Sequence, residues 1–253
     1  MSDTSPIESS EVQVQAEPGL TLPELLQRIA RASGFEDSLP SGMVFRCRCG
    51  IEVPSRGILC AQCGERERAE YRAMCLAPAR RTLPTWPHAR FGHPQFRAAA
   101  ELVSVARDWR FGDLVGLTLL GPTGIGKSTL AVALCIEKLE RATTPTQVQL
   151  ASGIRYVLAS DLDKARLEHA LGRDEPPLVR MAIRAKLLVL DDLGKEKTKG
   201  EVITHVLEKR YNLGLPNLIT SELTLRQLGD RYGMSDRRRI AGRVLVASTY
   251  GDR

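Results

Sequence analysis

Aromatic residues are scarce in this 253-residue chain: two Trp, five Tyr and five Phe make up 5% of it. So few rings do not form a visible row on which successive bases could stack. No apolar run approaches the roughly 20 residues of a membrane-spanning helix. The opening residues, MSDTSPIESSEVQVQAEPG, lack the basic-then-apolar pattern of a secretory leader. Both absences point to a cytoplasmic protein without a membrane role. In that compartment the six cysteines are expected as thiols or metal ligands, not disulfides.

What is present is basic and foldable. Lys and Arg total 36 against 30 Asp and Glu, a formal net charge of +6. That balance suits a nucleic-acid partner without requiring one. The length allows one sizeable core plus a smaller module.

Four regions follow from composition and periodicity. Residues 1–19 are polar and poor in anything to bury, and are expected to be disordered. Residues 20–80 open on a helix capped by Thr21 and Glu24, with Leu22, Leu25, Leu26 and Ile29 on one face. That face is either core or partner surface. The cysteine-rich stretch completes this region. Residues 81–93, rich in Pro, form a connecting arm. Residues 94–253 alternate strands (VGLTLL, IRYVLAS, KLLVLDD, NLITS) with helices (QFRAAAELVSVARDW, STLAVALCIEKLER, GEVITHVLEKRYN). Alternation of this kind predicts an α/β fold, a parallel sheet covered by helices. TTPTQVQLASG is expected as a loop or an irregular insertion.

GPTGIGKS fits the phosphate-loop pattern in full and stands between an apolar strand and an amphipathic helix. Gly121, Pro122, Thr123, Gly124, Ile125 and Gly126 form the turn whose N–H groups face phosphate oxygens. Lys127 reaches the β- and γ-phosphates of ATP, and Ser128 can ligate Mg²⁺. Asp191 and Asp192 end the strand LLVLDD, the edge where open α/β sheets bind ligands. Asp191 is the candidate Mg²⁺ ligand, and Asp192 the group that orients the attacking water. A soluble kinase would use the same loop, but paired acids favour hydrolysis, since a water needs its own positioning group.

CRCGIEVPSRGILCAQC supplies Cys47, Cys49, Cys60 and Cys63 as two close pairs, a set suited to tetrahedral Zn²⁺. Gly50 and Gly64 follow the pairs, where a tight turn needs a permissive backbone. An iron–sulfur cluster is the other metal reading. Cys75, His88 and His93 are alternative ligands, and Cys135 is expected as a buried core thiol.

Taken in order, LLGPTGIGKSTLAVAL, IRYVLASDL, LLVLDDLGKEK, LEKRYNLGLPNLITSEL and RRRIAGRV resemble the DnaC/DnaI-type AAA+ helicase loaders and the related IstB transposition ATPases. The resemblance runs from about Leu83 to the C-terminus. It implies an AAA+ P-loop core that ends without the helical lid. It makes residues 121–129, including Thr129, the Walker A loop, and Asp191 and Asp192 Walker B. Thr220 and Ser221 become the γ-phosphate sensor, beside Glu222 where the family often has Asn. Arg243 corresponds to the arginine finger that reaches a neighbour's ATP, and Arg239 to the earlier arginine of that segment. Arg237 and Arg238 remain a solvated or DNA-facing surface. An N-terminal zinc module further resembles DnaI-type loaders. The implied partners are a DnaB-like replicative helicase, single-stranded DNA and further copies of the chain. Lys195, Lys197 and Lys199, with Arg180, Arg184 and Lys186, are the basic candidates for DNA.

Overall fold

The computed structural model describes residues 45–54, 57–109, 116–169, 174–198, 200–241 and 244–249. The expected tail, the Thr21-capped helix, Lys199 and Arg243 lie outside the described residues. The chain divides into two compact units, 1–64 and 65–253.

In the first unit, β1 (Phe45–Arg46) and β2 (Glu52–Val53) pair antiparallel, Phe45 opposite Val53. Gly50, at φ 90°, closes the turn between them, with its N–H donating to the Cys47 carbonyl at 2.8 Å. Only a residue without a Cβ adopts that φ at no steric cost. Helix α1 (Ala61–Thr82) begins between the second pair of cysteines. Gly64 is therefore helical and not a permissive turn residue, because an α-helical first turn already brings Cys60 and Cys63 together.

The second unit is built on a parallel sheet. Its strands are β3 (Gly116–Leu120), β4 (Ile154–Leu158), β5 (Leu187–Leu193), β6 (Asn217–Ser221) and β7 (Val244–Ser248). Their order is β4-β5-β6-β3-β7, so β6 lies between the phosphate-loop strand and the acidic strand. The helices between them are α2 (Ala100–Asp108), α3 (Lys127–Arg141), α4 (Pro145–Ser152), α5 (Ala159–Leu167), α6 (Pro177–Arg184), α7 (Glu201–Asn212), α8 (Leu225–Tyr232) and α9 (Met234–Ala241).

Strand residues alternate between two cores, as a pleated sheet covered on both faces demands. Leu117, Leu119, Leu187, Val189 and Leu218 face one core with α3's Leu130, Leu134 and Leu139. Leu188, Leu190 and Ile219 face the other, with Val202, Val206 and Leu207 of α7. Each such aliphatic contributes about 1.5–3 kcal/mol when fully buried. Thr118 breaks the run of leucines in β3, and its buried hydroxyl donates to the Ile240 carbonyl at 3.0 Å. The last turn of α9, just before Arg243 in sequence, is thereby pinned to the phosphate-loop strand.

A second expectation, beside that for Gly64, is corrected. TTPTQVQLASG is not an irregular loop, since it contains α4. Thr144 accepts from the Gln147 N–H while the Gln147 side chain accepts from the Thr144 N–H, a reciprocal capping box, and Pro145 opens the helix. Among the described residues no helix is long and apolar enough to cross a membrane.

Candidate functional site

The phosphate loop leaves β3 at Leu120 and enters α3 at Lys127. Gly126 caps the helix at φ 88°, and a Cβ there would run into the Arg97 carbonyl. The turn must therefore be glycine on grounds of both conformation and space. Lys127 is 5% exposed. Its ammonium donates to the carbonyls of Gly121 at 2.7 Å and Pro122 at 2.8 Å. Burial pulls its pKa down, and Glu222 and Asp192 act in the opposite direction. The ammonium thus lies across the mouth of the loop, beside the electropositive N-terminus of α3.

Strand β5 carries the acids. Its register with β6 shifts between Leu190 and Leu193. Asp192 takes φ 57°, the one positive φ outside glycine among the described residues. That conformation costs on the order of 1–3 kcal/mol. It separates the two carboxylates. Asp191 turns inward: Tyr156 donates to one oxygen at 2.5 Å and Thr220 donates to the other. Burial and the Asp191 charge raise the Tyr156 pKa, so the phenol stays a donor. Asp192 instead faces the cleft, its own N–H held by the Thr220 hydroxyl at 3.0 Å.

Thr220 and Ser221 knit strand ends together. Ser221 donates to the Leu193 carbonyl at 2.6 Å and accepts from the Leu223 N–H at 3.0 Å. The residue of that segment lining the cleft is Glu222, 2.6 Å from the Lys195 ammonium. Lys195 also lies 3.3 Å from Asp192. The Lys195 pKa is raised, chiefly by Glu222; that of Glu222 is lowered by Lys195 and by Thr123.

The cleft holds about 350 Å³. Thr123, Gly124, Ser128 and Thr129 line it with Lys127, Asp192, Lys195 and Glu222. Trp86 and His88 also line it, their rings 6.2 Å apart and 7° from parallel. The arm that looked like a mere connector brings a flat aromatic face to the phosphate loop. Ser128 and Asp191 offer oxygen donors that suit Mg²⁺. Asp191 spends one lone pair per oxygen on Tyr156 and Thr220 and retains others.

The arginines separate by environment. Arg239 pairs with Asp236 at 2.7 Å and approaches Glu208 at 3.7 Å, both in its own chain. Arg210 is fully buried. It donates to the carbonyls of Ala182, Ile183, Ala185 and Pro216 and to Asn217 Oδ1. Burial pulls its pKa down to about 9, so it remains a cation at neutral pH. It ties the end of α6 to the start of β6.

In the first unit, the sulfurs of Cys47, Cys49, Cys60 and Cys63 all lie within 4.8 Å of one another. Cys49 and Cys60 approach to 3.4 Å. A zinc tetrahedron with Zn–S near 2.3 Å sets its sulfurs about 3.8 Å apart, so the four thiols fit that ion. The Cys49 N–H, with that of Cys60, lowers the Cys47 pKa to about 6. Hydrogen bonds with Cys49 and Cys47 push Cys63 up to about 12. The alternative ligands are engaged elsewhere: Cys75 packs on the core of the second unit, His88 lines its cleft, and His93 accepts from the Gln95 N–H. Cys135 is a buried thiol whose pKa burial lifts to about 12.

Comparison with curated proteins gives no match. Among solved structures, the DnaC helicase loader is 23% identical at TM-score 0.45, over 60% of this chain and 92% of that one. DnaI is 20% identical at TM-score 0.45, over 69% and 92%. AMPPCP-bound DnaA from Aquifex aeolicus is 21% identical at TM-score 0.43, over 58% and 44%. The family model described as IstB-like ATP binding protein matches residues 64–238, well over half the chain. With its phosphate loop, acidic strand end and parallel α/β core, the chain belongs to the IstB-like family of ATP-binding proteins.

Proposed function

We propose that this protein hydrolyses ATP at a boundary between its own copies, and that the cycle loads a DnaB-like replicative helicase onto single-stranded DNA during replication initiation. The observation that carries the reading is the cleft itself. A buried lysine spans the phosphate loop while one acid of a strand-end pair is held inward and the other faces the open space. Lys127 would bind the β- and γ-phosphates, with residues 121–129 cradling the chain of oxygens. Ser128 and Asp191 would hold Mg²⁺, whose contribution is to neutralise phosphate charge. Asp192 would orient the attacking water. Thr220 touches Asp191 and the Asp192 N–H together, which supports a sensing role through the acids; Ser221 would act by holding the neighbouring turn.

Arg243 would supply a guanidinium to the ATP of the next copy, making hydrolysis depend on assembly. Arg239 would have to leave Asp236 and Glu208 to do the same. Residues 20–80, stapled by zinc on Cys47, Cys49, Cys60 and Cys63, would grip the helicase, with 1–19 a free tail and 81–93 an arm. The core 94–253 would bind ATP and DNA. Of the basic candidates for DNA, Lys195 is committed to the nucleotide cleft and is set aside. The reading places the protein in the cytoplasm.

A second reading, a transposition helper ATPase, is favoured by the family match itself. Pull-down of the full chain with a replicative helicase and, in parallel, with a transposase separates the two. Helicase capture, with Arg243→Ala binding ATP but losing assembly-stimulated hydrolysis, is the expected result. Capture of the transposase alone would sink the loader reading.

A further inference from the structure

Resting on the nucleotide reading above, we propose that Lys195 is a second phosphate ligand supplied from the same chain. In this assignment Asp192 and Glu222 hold its ammonium until a triphosphate enters, and its contact is with the terminal phosphoryl group.

The backbone around Lys195 is held on both sides. Its N–H donates to the Asp192 carbonyl at 3.2 Å. Glu196, whose side chain is fully buried, accepts from the Gly194 N–H at 3.0 Å, from Arg231 at 2.7 Å and from the Tyr232 hydroxyl. Asp163 accepts from the N–H groups of Lys197 and Thr198, each at 3.1 Å. A fixed backbone carrying a long flexible side chain is the arrangement of a residue that must reach and release.

Its ammonium is aimed into the cleft, at 2.6 Å from Glu222 and 3.3 Å from Asp192. All three groups line that cleft with Lys127 and Ser128. Before any nucleotide binds, two carboxylates (Asp192 and Glu222) face two ammonium groups (Lys127 and Lys195) across the cleft. A polyphosphate adds further negative charge. Like charges held a few ångströms apart in a partly enclosed site repel far more strongly than in bulk water. Glu222 beside a terminal phosphoryl group is therefore unfavourable unless a cation stands between them, and Lys195 is already there. An ammonium has three donors, so Lys195 can keep one on Glu222 while giving another to the phosphoryl oxygens. The same shift releases Asp192 to orient water. A diphosphate offers no terminal group in that place, so the residue discriminates ATP from ADP.

A purely structural role is separable. The Lys195 and Glu222 side chains are 46% and 35% exposed, and solvent-exposed pairs add little to stability. The test is ATP and ADP affinity of the full chain with Mg²⁺, for wild type, Lys195→Met, Lys195→Arg and Lys127→Ala. Lys195→Met is expected to weaken ATP binding about tenfold to a hundredfold, the worth of one charged hydrogen bond. ADP binding should change by less than about threefold on the same scale. Lys195→Arg should recover most of the loss. Equal weakening of both nucleotides by Lys195→Met, or no weakening of either, overturns the assignment while Lys127→Ala still abolishes ATP binding. Normal ATP binding by Lys127→Ala would remove the nucleotide reading, and this inference with it.

Discussion

The cysteine cluster and the nucleotide cleft are both ligand sites flagged by residue spacing, yet they are assembled in opposite ways. All four thiols come from one stretch of 17 residues, Cys47 to Cys63, joined by a hairpin of two short strands and the first turn of a helix. The cleft gathers Trp86, Lys127, Asp192 and Glu222 from across the second unit. A local site needs only turn geometry and a metal to close it. A distributed site exists only after a sheet has ordered its strands. The first should fail alone when its ligand is lost; the second should fail with its scaffold.

The sharpest way to break that comparison is Cys63→Ser in the full chain. Structural zinc contributes about 10–16 kcal/mol in small zinc-finger peptides, so the first unit should lose both its metal and its order. Elemental analysis should find zinc gone, while ATP affinity changes by less than about twofold. A parallel loss of ATP binding would show that the two sites are coupled. Arg210→Met tests the other half. It strands acceptors at Ala182, Ile183, Ala185, Pro216 and Asn217, and should cost about 3–5 kcal/mol in urea unfolding. Zinc content should be untouched. The smallest effect is expected at the rim. Trp86→Ala should weaken ATP by the roughly 1–3 kcal/mol of a base–aromatic stack and leave tripolyphosphate binding unchanged. Equal losses for both ligands would mean that Trp86 shapes the loop and does not meet the base.

Legibility followed the same division. GPTGIGKS announced itself because every residue type in it answers a local requirement, and the structure adds only that the Gly126 position also lacks room for a Cβ. The strands were readable because LTLL, LLVL and NLIT are buried on both faces. Helix α1 escaped notice because Tyr71 and Met74 stand exposed while Leu76 and Ala79 are buried, so no clean stripe announces it. The capping box of α4 was written plainly in Thr144 and Gln147 but hidden under a run of Thr, Pro and Gln that suggests a loop. Lys195 looked like one of three lysines in GKEKTKG available to DNA. Nothing in its neighbours revealed that it faces Glu222, 27 positions on, because strand order decides which turn meets which.

Sequence alone determined the chemistry on offer: a phosphate loop, a strand ending in two acids, and two thiol pairs with metal-ligand spacing. Those are properties of short stretches, dictated by backbone freedom and donor type. Tertiary structure decided how that chemistry is divided. It sent Asp191 inward to Tyr156 and Thr220, left Asp192 in the cleft, placed Glu222 against Lys195, and buried Arg210 among carbonyls. The physical reason is that charge and hydrogen bonding act across the sheet, between strands whose order a linear pattern does not specify.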